Sequence, residues 1–383
     1  MTKTFKIEVS EKGLLKTLRG FFNALLEQED IHALLAPCQL PSQTMVMPTL
    51  ITAGERVNQI DPLAPAFPMN SAKIASRLTR KSSGGKIAAL MRPCEIRAFI
   101  ELVKLKQGNT EDLLLIGIDC LGAFGNRDYQ LWAGDNGDDA SQQYAQEVLS
   151  GKKTGRDNTK LTQACQACEF PVSETADINI GLFGMDTDRE ILIQPLNDKG
   201  AHHLNAIDLP ATEIPATRAK DIERRISEKI SFRDQMFAQV GEQINSQKKL
   251  GAFLSSCVNC YNCRVACPVC YCRECVFVTD VFDHDPSQYL SWAQRGGAVK
   301  MPTDTMLYHI TRLAHMSTAC VGCGQCTNAC PNDIPVMALF RTVAQRTQAA
   351  FDYQAGRNLT ENPPLSEFKE EEFEEVVGIN LQP

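Results

Sequence analysis

The chain has no run of about 18 apolar residues, the length a spanning helix needs, so nothing in its 383 residues reads as a membrane segment. Its opening, MTKTFKIEVSEKGLL, lacks a basic start followed by an unbroken apolar stretch, so no secretory leader is expected and the expected setting is cytoplasmic. Although the net charge is −7, acidic and basic residues are interspersed, and no basic stripe exists of the kind a phosphate backbone requires. Nucleic acid is therefore not an expected partner. No G-x-G-x-x-G follows a strand, which removes the usual fingerprint for a dinucleotide.

What the chain has in abundance is cysteine, sixteen in all. A chain of this length, 43% hydrophobic, can build real cores and has no need of disulfide staples. The cysteines also fall in ligand spacing rather than scattered pairs. C-x2-C-x2-C-x3-C-P occurs twice, as Cys257, Cys260, Cys263, Cys267-Pro268 and as Cys320, Cys323, Cys326, Cys330-Pro331. A [4Fe-4S] cube takes four thiolates, and in two-cluster proteins the cysteine before the proline serves the other cube. Cys257, Cys260, Cys263 and Cys330 are expected to hold one cluster, and Cys320, Cys323, Cys326 and Cys267 the second. Paired zinc sites are the competing reading, but the proline-marked fourth cysteine argues against them.

Length allows about two domains. At the front, Lys86 to Leu90 and Leu113 to Asp119 read as buried strands, with a helix from Glu95 to Lys106 between them, a unit that belongs in a parallel sheet. Leu14, Leu15, Leu18, Phe21, Phe22, Leu25 and Leu26 make one face of an earlier helix. Gly151 to Lys160 contains no apolar residue and is expected to be a solvated loop. From Ala219 to about Ser246, Ile222, Ile226, Ile230, Phe237, Val240 and Ile244 mark an amphipathic linker helix. The long stretch from Pro268 to Ala319 looks helical, with Met306, Leu307, Ile310 and Leu313 at helical spacing, and Pro335 opens another helix carrying Val336, Leu339, Phe340 and Val343. The expected fold class is thus an α/β N-terminal domain over residues 1–215, a linker helix over 216–250 and a mainly α domain over 251–350. The latter resembles the helical ferredoxin domains of succinate dehydrogenase iron–sulfur subunits and of the small heterodisulfide reductase subunit. An acidic tail, 351–383, ends the chain, and its Phe368 and Phe373 could dock on a partner.

Among the remaining cysteines, Cys94 lies between a strand and a helix, Cys120 ends the strand LLLIGID, and Cys165 and Cys168 form QACQACEF. Loops after the carboxyl ends of parallel strands are where α/β sheets place their sites. A third [4Fe-4S] cluster on Cys94, Cys120, Cys165 and Cys168 is the expectation; ordinary buried cysteines are the alternative for Cys94 and Cys120. Cys270, Cys272 and Cys275 are assigned a structural role, although Cys38 or His284 could join them in a further metal site.

The string MRPCEIRAFIELVKL, the following IGIDC and the C-x2-C-x-F-P stretch ahead of Ala176-Asp177-Ile178 resemble the beta subunits of coenzyme F-420 hydrogenases and dehydrogenases. With a double cluster motif behind it, the chain is most similar to a formate dehydrogenase beta subunit. The resemblance covers roughly residues 10 to 185 and implies an FAD on the front domain beside the third cluster. The positions it suggests for the flavin are Lys16, Arg19, Asn70, Ser71, Lys73 and Arg92, cations and helix starts that suit a pyrophosphate. One departure is that Lys12-Gly13-Leu14-Leu15-Lys16 stands where the family often has a Gly-Gly-x-x-Thr-like start.

The resemblance implies a subunit rather than a whole enzyme, since there is no molybdopterin motif and no catalytic residue for formate. Its expected partner is a molybdenum or tungsten formate dehydrogenase alpha subunit, with coenzyme F-420 or another redox subunit as the electron acceptor. The alternative is a flavin-free wiring subunit of a heterodisulfide-reductase-like, hydrogenase or sulfite reductase complex.

Overall fold

The computed structural model describes residues 3–41, 44–152 and 160–367. Its centre is an eight-stranded sheet: β1 (Thr4–Glu8), β2 (Ile31–Gln39), β3 (Val46–Ile51), β4 (Lys86–Met91), β5 (Leu113–Ile118), β6 (Ile178–Gly181), β7 (Glu190–Pro195) and β8 (Ala211–Thr212). The order is β3-β2-β4-β5-β6-β7-β1-β8. The inner strands β2, β4, β5 and β6 run parallel, as the strand–helix–strand reading required, but β3 at one side and β7, β1 and β8 at the other are added through antiparallel pairings. The sheet is therefore mixed.

The two middle strands are buried on both sides. Along β4 and β5 successive side chains alternate: Ala88, Leu90, Leu114 and Ile116 enter one core, Ile87, Ala89, Leu113 and Leu115 the other. The first core is closed by the helix Leu14–Leu26, which buries Leu14, Leu15, Leu18, Phe21, Phe22 and Leu25. The second is closed by the helix Pro93–Lys104, whose proline occupies the first turn, where no donor is lost. That same core takes in Cys263, Tyr308, Val336, Leu339 and Phe340, so the cysteine-rich C-terminal part packs directly on the sheet's second face. At about 1.5–3 kcal/mol per fully buried large apolar side chain, this shared core ties the two halves together strongly.

The amphipathic helix spans Ala216–Ile244, beginning directly after Pro215. It is pinned at its start by a buried ion pair. Asp119, the residue between β5 and Cys120, accepts from Arg218 Nη1 at 2.5 Å and Nη2 at 3.0 Å, and also from the backbone N–H groups of Leu182 and Phe183. Farther along, Met236 and Val240 pack with Ala164, Ala167, Met337 and Ala338, joining the Cys165 segment to the C-terminal helix Val336–Ala350. Between the two C-x2-C-x2-C motifs lie the helices Pro286–Gly296 and Thr305–Met316, as expected of a helical rather than a hairpin domain.

One helix departs from its apolar pattern at two positions. In Thr305–Met316, Leu307 and Ile310 are exposed, whereas Tyr308, His309 and Arg312 are buried against the first motif. Among the described residues, no helix is long and apolar enough to cross a membrane. Lys153 to Thr159 of the expected loop, and the tail residues Phe368 and Phe373, lie outside the described residues.

Candidate metal centre

The two motifs fold into the same turn from different residues. In the second, Gly322 and Gly324 take positive φ, at 71° and 84°; in the first, Asn259 and Tyr261 occupy the corresponding places at 50° and 59°. Glycine reaches this conformation without penalty, while asparagine and especially tyrosine do so under strain that the surroundings must offset. Asn259 is held by Thr305, which donates to its Oδ1 at 2.9 Å, and by Asp304, which accepts from its Nδ2 at 2.9 Å. In the second turn a Cβ on Gly324 would stand 2.5 Å from that of Ala164, so that glycine also lets the Cys165 segment approach. In both turns a backbone N–H two residues on donates to the first sulfur: Asn259 to Cys257, and Gly322 to Cys320.

The motifs are interleaved in space. After burial, which pushes the Cys257 thiol up, the neighbours acting the same way on it are Cys263 and Cys330. Burial and then Cys267 push up Cys320, Cys323 and Cys326 alike. Cys330 is thus among the neighbours of Cys257, and Cys267 among those of the first three sulfurs of the second motif. Cys260, with its sulfur loop at the surface, is exposed.

Cys94, Cys120, Cys165 and Cys168 line one small cavity of about 30 Å³, partly open to solvent. Cys94 begins the helix Pro93–Lys104, Cys120 follows β5, and Cys165 lies in the short helix Gln163–Gln166, capped by the Thr162 hydroxyl. Burial holds Cys120 protonated up to about 11, despite Arg92 beside it, with Cys165 and Cys168 adding to the rise. Crowded thiols with no carboxylate among the cavity's lining are what a thiolate-ligated cluster needs once its metal replaces the protons. Cys323 of the second motif lines the same cavity, so this group adjoins the second set directly. Among the described residues no three His, Cys, Asp or Glu side chains close on a point that would hold a single metal ion.

Charged and hydrogen-bonding side chains surround the sulfurs. Arg312 Nη1 donates to Cys263 Sγ at 3.1 Å and its Nη2 to the Cys263 carbonyl at 3.1 Å. Burial opposes that charge, but Cys263, Tyr308 and Cys267 hold Arg312 above its ordinary value. Tyr308 Oη stands 3.3 Å from Cys263 Sγ and His309 Nε2 3.4 Å from Cys257 Sγ. Lys229 donates to the Cys165 carbonyl at 2.6 Å. Sequence pattern does not single out Tyr308, His309 and Arg312, because they occupy the polar face of a helix whose apolar face is the visible signal.

The residues suggested for a flavin are dispersed. Lys16 is exposed on its helix, and Arg19 donates to the Ile60 carbonyl at 2.8 Å beside the buried Asp61. Ser71 N–H donates to Glu95 at 2.7 Å, Asn70 Oδ1 accepts from Ala72 N–H, and Lys73 Nζ reaches the Val265 carbonyl at 3.0 Å. Only Arg92 lies on the cysteine cavity, 4.9 Å from the Phe67 ring, held charged by Cys120, Glu95 and Cys94 against the cost of burial. A roomier space of about 360 Å³ adjoins that cavity at Cys120 and Lys229, lined also by Lys152, Phe183, Arg224, Arg225, Glu228 and Phe232. Sequence gave no reason to group these, since they come from three separate segments. Cys38 lies in the first core, far in the fold from Cys270 and Cys275, which pack in the second.

Fold and cysteine groups together define an iron–sulfur protein. Residues 315–336 match the 4Fe-4S binding domain family. Over nearly its whole length the chain is similar to formate dehydrogenase beta subunits, which bears out the resemblance seen in the front half. It is 23% identical over 387 residues to the F420-dependent formate dehydrogenase subunit beta of Methanocaldococcus jannaschii, covering 94% of this chain and 97% of that one. It is also 23% identical over 400 residues to the F420-dependent formate dehydrogenase 1 subunit beta of Methanococcus maripaludis, covering 94% and 96%. Among solved structures, a chain of the xenon-derivatised F420-reducing [NiFe] hydrogenase complex from Methanosarcina barkeri matches with a TM-score of 0.46 at 15% identity, over 64% of this chain and 94% of that one.

Proposed function

We propose that the chain is the iron–sulfur flavoprotein subunit of a formate dehydrogenase complex, working in the cytoplasm beside a molybdenum- or tungsten-containing alpha subunit that oxidises formate. The observation that carries this reading is the convergence of Cys94, Cys120, Cys165 and Cys168 from three separate segments on one cavity beside the second motif. Similarity to the two formate dehydrogenase beta subunits along nearly the full chain supports it. The division of labour follows the expected organisation, with residues 1–215 carrying the third cysteine group and FAD and residues 251–350 the other two groups.

Bound to these groups, [4Fe-4S] clusters would supply one-electron steps and FAD the change to two-electron chemistry, with coenzyme F-420 or another redox subunit as acceptor. The protein's own contribution is positional. Cys257, Cys260, Cys263 and Cys330 would hold the first cluster, Cys320, Cys323, Cys326 and Cys267 the second, and Cys94, Cys120, Cys165 and Cys168 the third. Arg92 keeps a positive charge against the third group. The space bordered by Arg224, Arg225, Lys229, Phe183 and Phe232 offers cations for a pyrophosphate and apolar rings for a flavin, adjoining Cys120. Asp119 fixes the strand end from which Cys120 projects.

The test is anaerobic purification of the complex with iron and flavin quantified together. About twelve iron per chain, four for each cube, with equimolar FAD is the expected result. About eight iron without flavin leaves a two-cluster wiring subunit and ends the claim of hydride chemistry here.

A further inference from the structure

Two of the cysteine groups share one buried cation. Arg97 stands one turn after Cys94 on the helix Pro93–Lys104 and is 7% exposed. Its guanidinium lies 3.6 Å from the centre of the Phe170 ring, and Phe170 lines the cavity of the third group. On the other side Nη1 reaches the carbonyl of Val321, the residue after Cys320, at 3.4 Å, and Nε donates to the Ala355 carbonyl at 3.0 Å. These are neutral acceptors. The nearby carboxylate, Glu169, is bonded instead to Arg341 and Arg233.

Three arginines and that one glutamate border a cavity of about 280 Å³ between the two groups, so positive charge exceeds negative there. Burying a cation is costly unless something offsets it. The thiol sets lie on either side of it: Phe170, on which the guanidinium stacks, lines the cavity of the third group, and Cys320 of the second set borders the same space as Arg97. The backbone at this position is also closely covered, because Gly356, at φ 74°, packs so near that a Cβ there would lie 2.5 Å from the Arg97 Cα.

Building on the three-cluster reading above, we infer that Arg97 is a shared poising residue, a single guanidinium that sets the redox potentials of the second and third clusters together. A fixed positive charge favours the reduced, more negative state of any cluster near it, so its removal lowers both potentials.

The test is a redox titration of the purified complex followed by electron paramagnetic resonance. Arg97→Gln is expected to lower the midpoints of both clusters while leaving the first cluster in place. Glu169→Gln, which removes the negative charge facing the same cavity, is expected to raise both, and as an isosteric change it serves if Arg97→Gln fails to assemble. Arg346→Gln, on the exposed side of the helix Val336–Ala350, should move neither. Unmoved midpoints in Glu169→Gln, or a shift of one cluster alone in either variant, overturns the inference. A wild-type iron content of about eight overturns instead the three-cluster reading on which it rests.

Discussion

The guanidinium of Arg312 is hydrogen-bonded to Cys263 through both sulfur and carbonyl, each at 3.1 Å, which makes one buried side chain a clamp on the first motif. Its planar fork reaches both acceptors at once, which a lysine would not do. Arg312→Gln is expected to cost about 1.5–3 kcal/mol of stability, the range for hydrogen bonds to charged groups, and to lower the midpoint potential of the first cluster. Denaturant unfolding of the iron-loaded protein and a redox titration measure the two effects separately. An unchanged potential would show that Arg312 only props the loop.

The interleaving of the motifs makes an asymmetric prediction. Cys267→Ser belongs in sequence to the first motif but is expected to alter the second cluster's resonance signal, and Cys330→Ser the reverse. Low-temperature spectra of the two variants check this, and a signal change that follows each cysteine's own motif contradicts the crossed assignment.

Asp119→Asn leaves Arg218 buried without its counter-charge, and breaking a buried pair in this way costs about 3–5 kcal/mol. Because Asp119 directly precedes Cys120, the same variant is expected to lose iron from the third group before the others. Unfolding midpoints and iron content report the two consequences.

A titrating group far from every cysteine group gives the fold a pH dependence of its own. His203 is buried, with Nδ1 2.7 Å from Gln28 Oε1, and burial lowers its pKa, only partly offset by Asp30. The unfolded histidine, near 6.5, takes a proton more readily than the folded one, so its contribution is present above that value and is lost as pH falls towards the lower folded value. Stability should decline through this window by at most about 1.4 kcal/mol per pH unit, and His203→Gln should flatten the slope. Denaturant midpoints at several pH values decide it.

Much of this was legible from spacing alone. The strands at Lys86 and Leu113 and the helix beginning at Leu14 were visible because their apolar periods are those of elements buried on known faces. The antiparallel strands β1, β7 and β8 escaped notice because short pairings at a sheet's side leave little periodic signal. The helix Thr305–Met316 misled in a more instructive way. Its apolar residues mark a helix correctly, yet Leu307 and Ile310 face outward because the first motif demands Tyr308, His309 and Arg312 on the inside. Amphipathic reading assumes an apolar interior, and a cluster of sulfurs reverses that preference. The side chains around Cys120 are likewise not visible from spacing, since Lys152, Arg225 and Phe183 meet only in the fold.

The crossed pairing proposed for Cys267 and Cys330 would also constrain how the protein can be made. On the pairing proposed above, a nascent chain that has emerged as far as Pro268 offers the first cluster only three of its ligands, and the fourth arrives only when Cys330 has been synthesised. Iron delivered early would find an incomplete and labile site. On this pairing the second cluster would gain its last ligand with Cys326 and the first with Cys330, so neither centre could mature before the ribosome has entered the second motif, and a message truncated before Cys326 would yield a product with neither ferredoxin site complete.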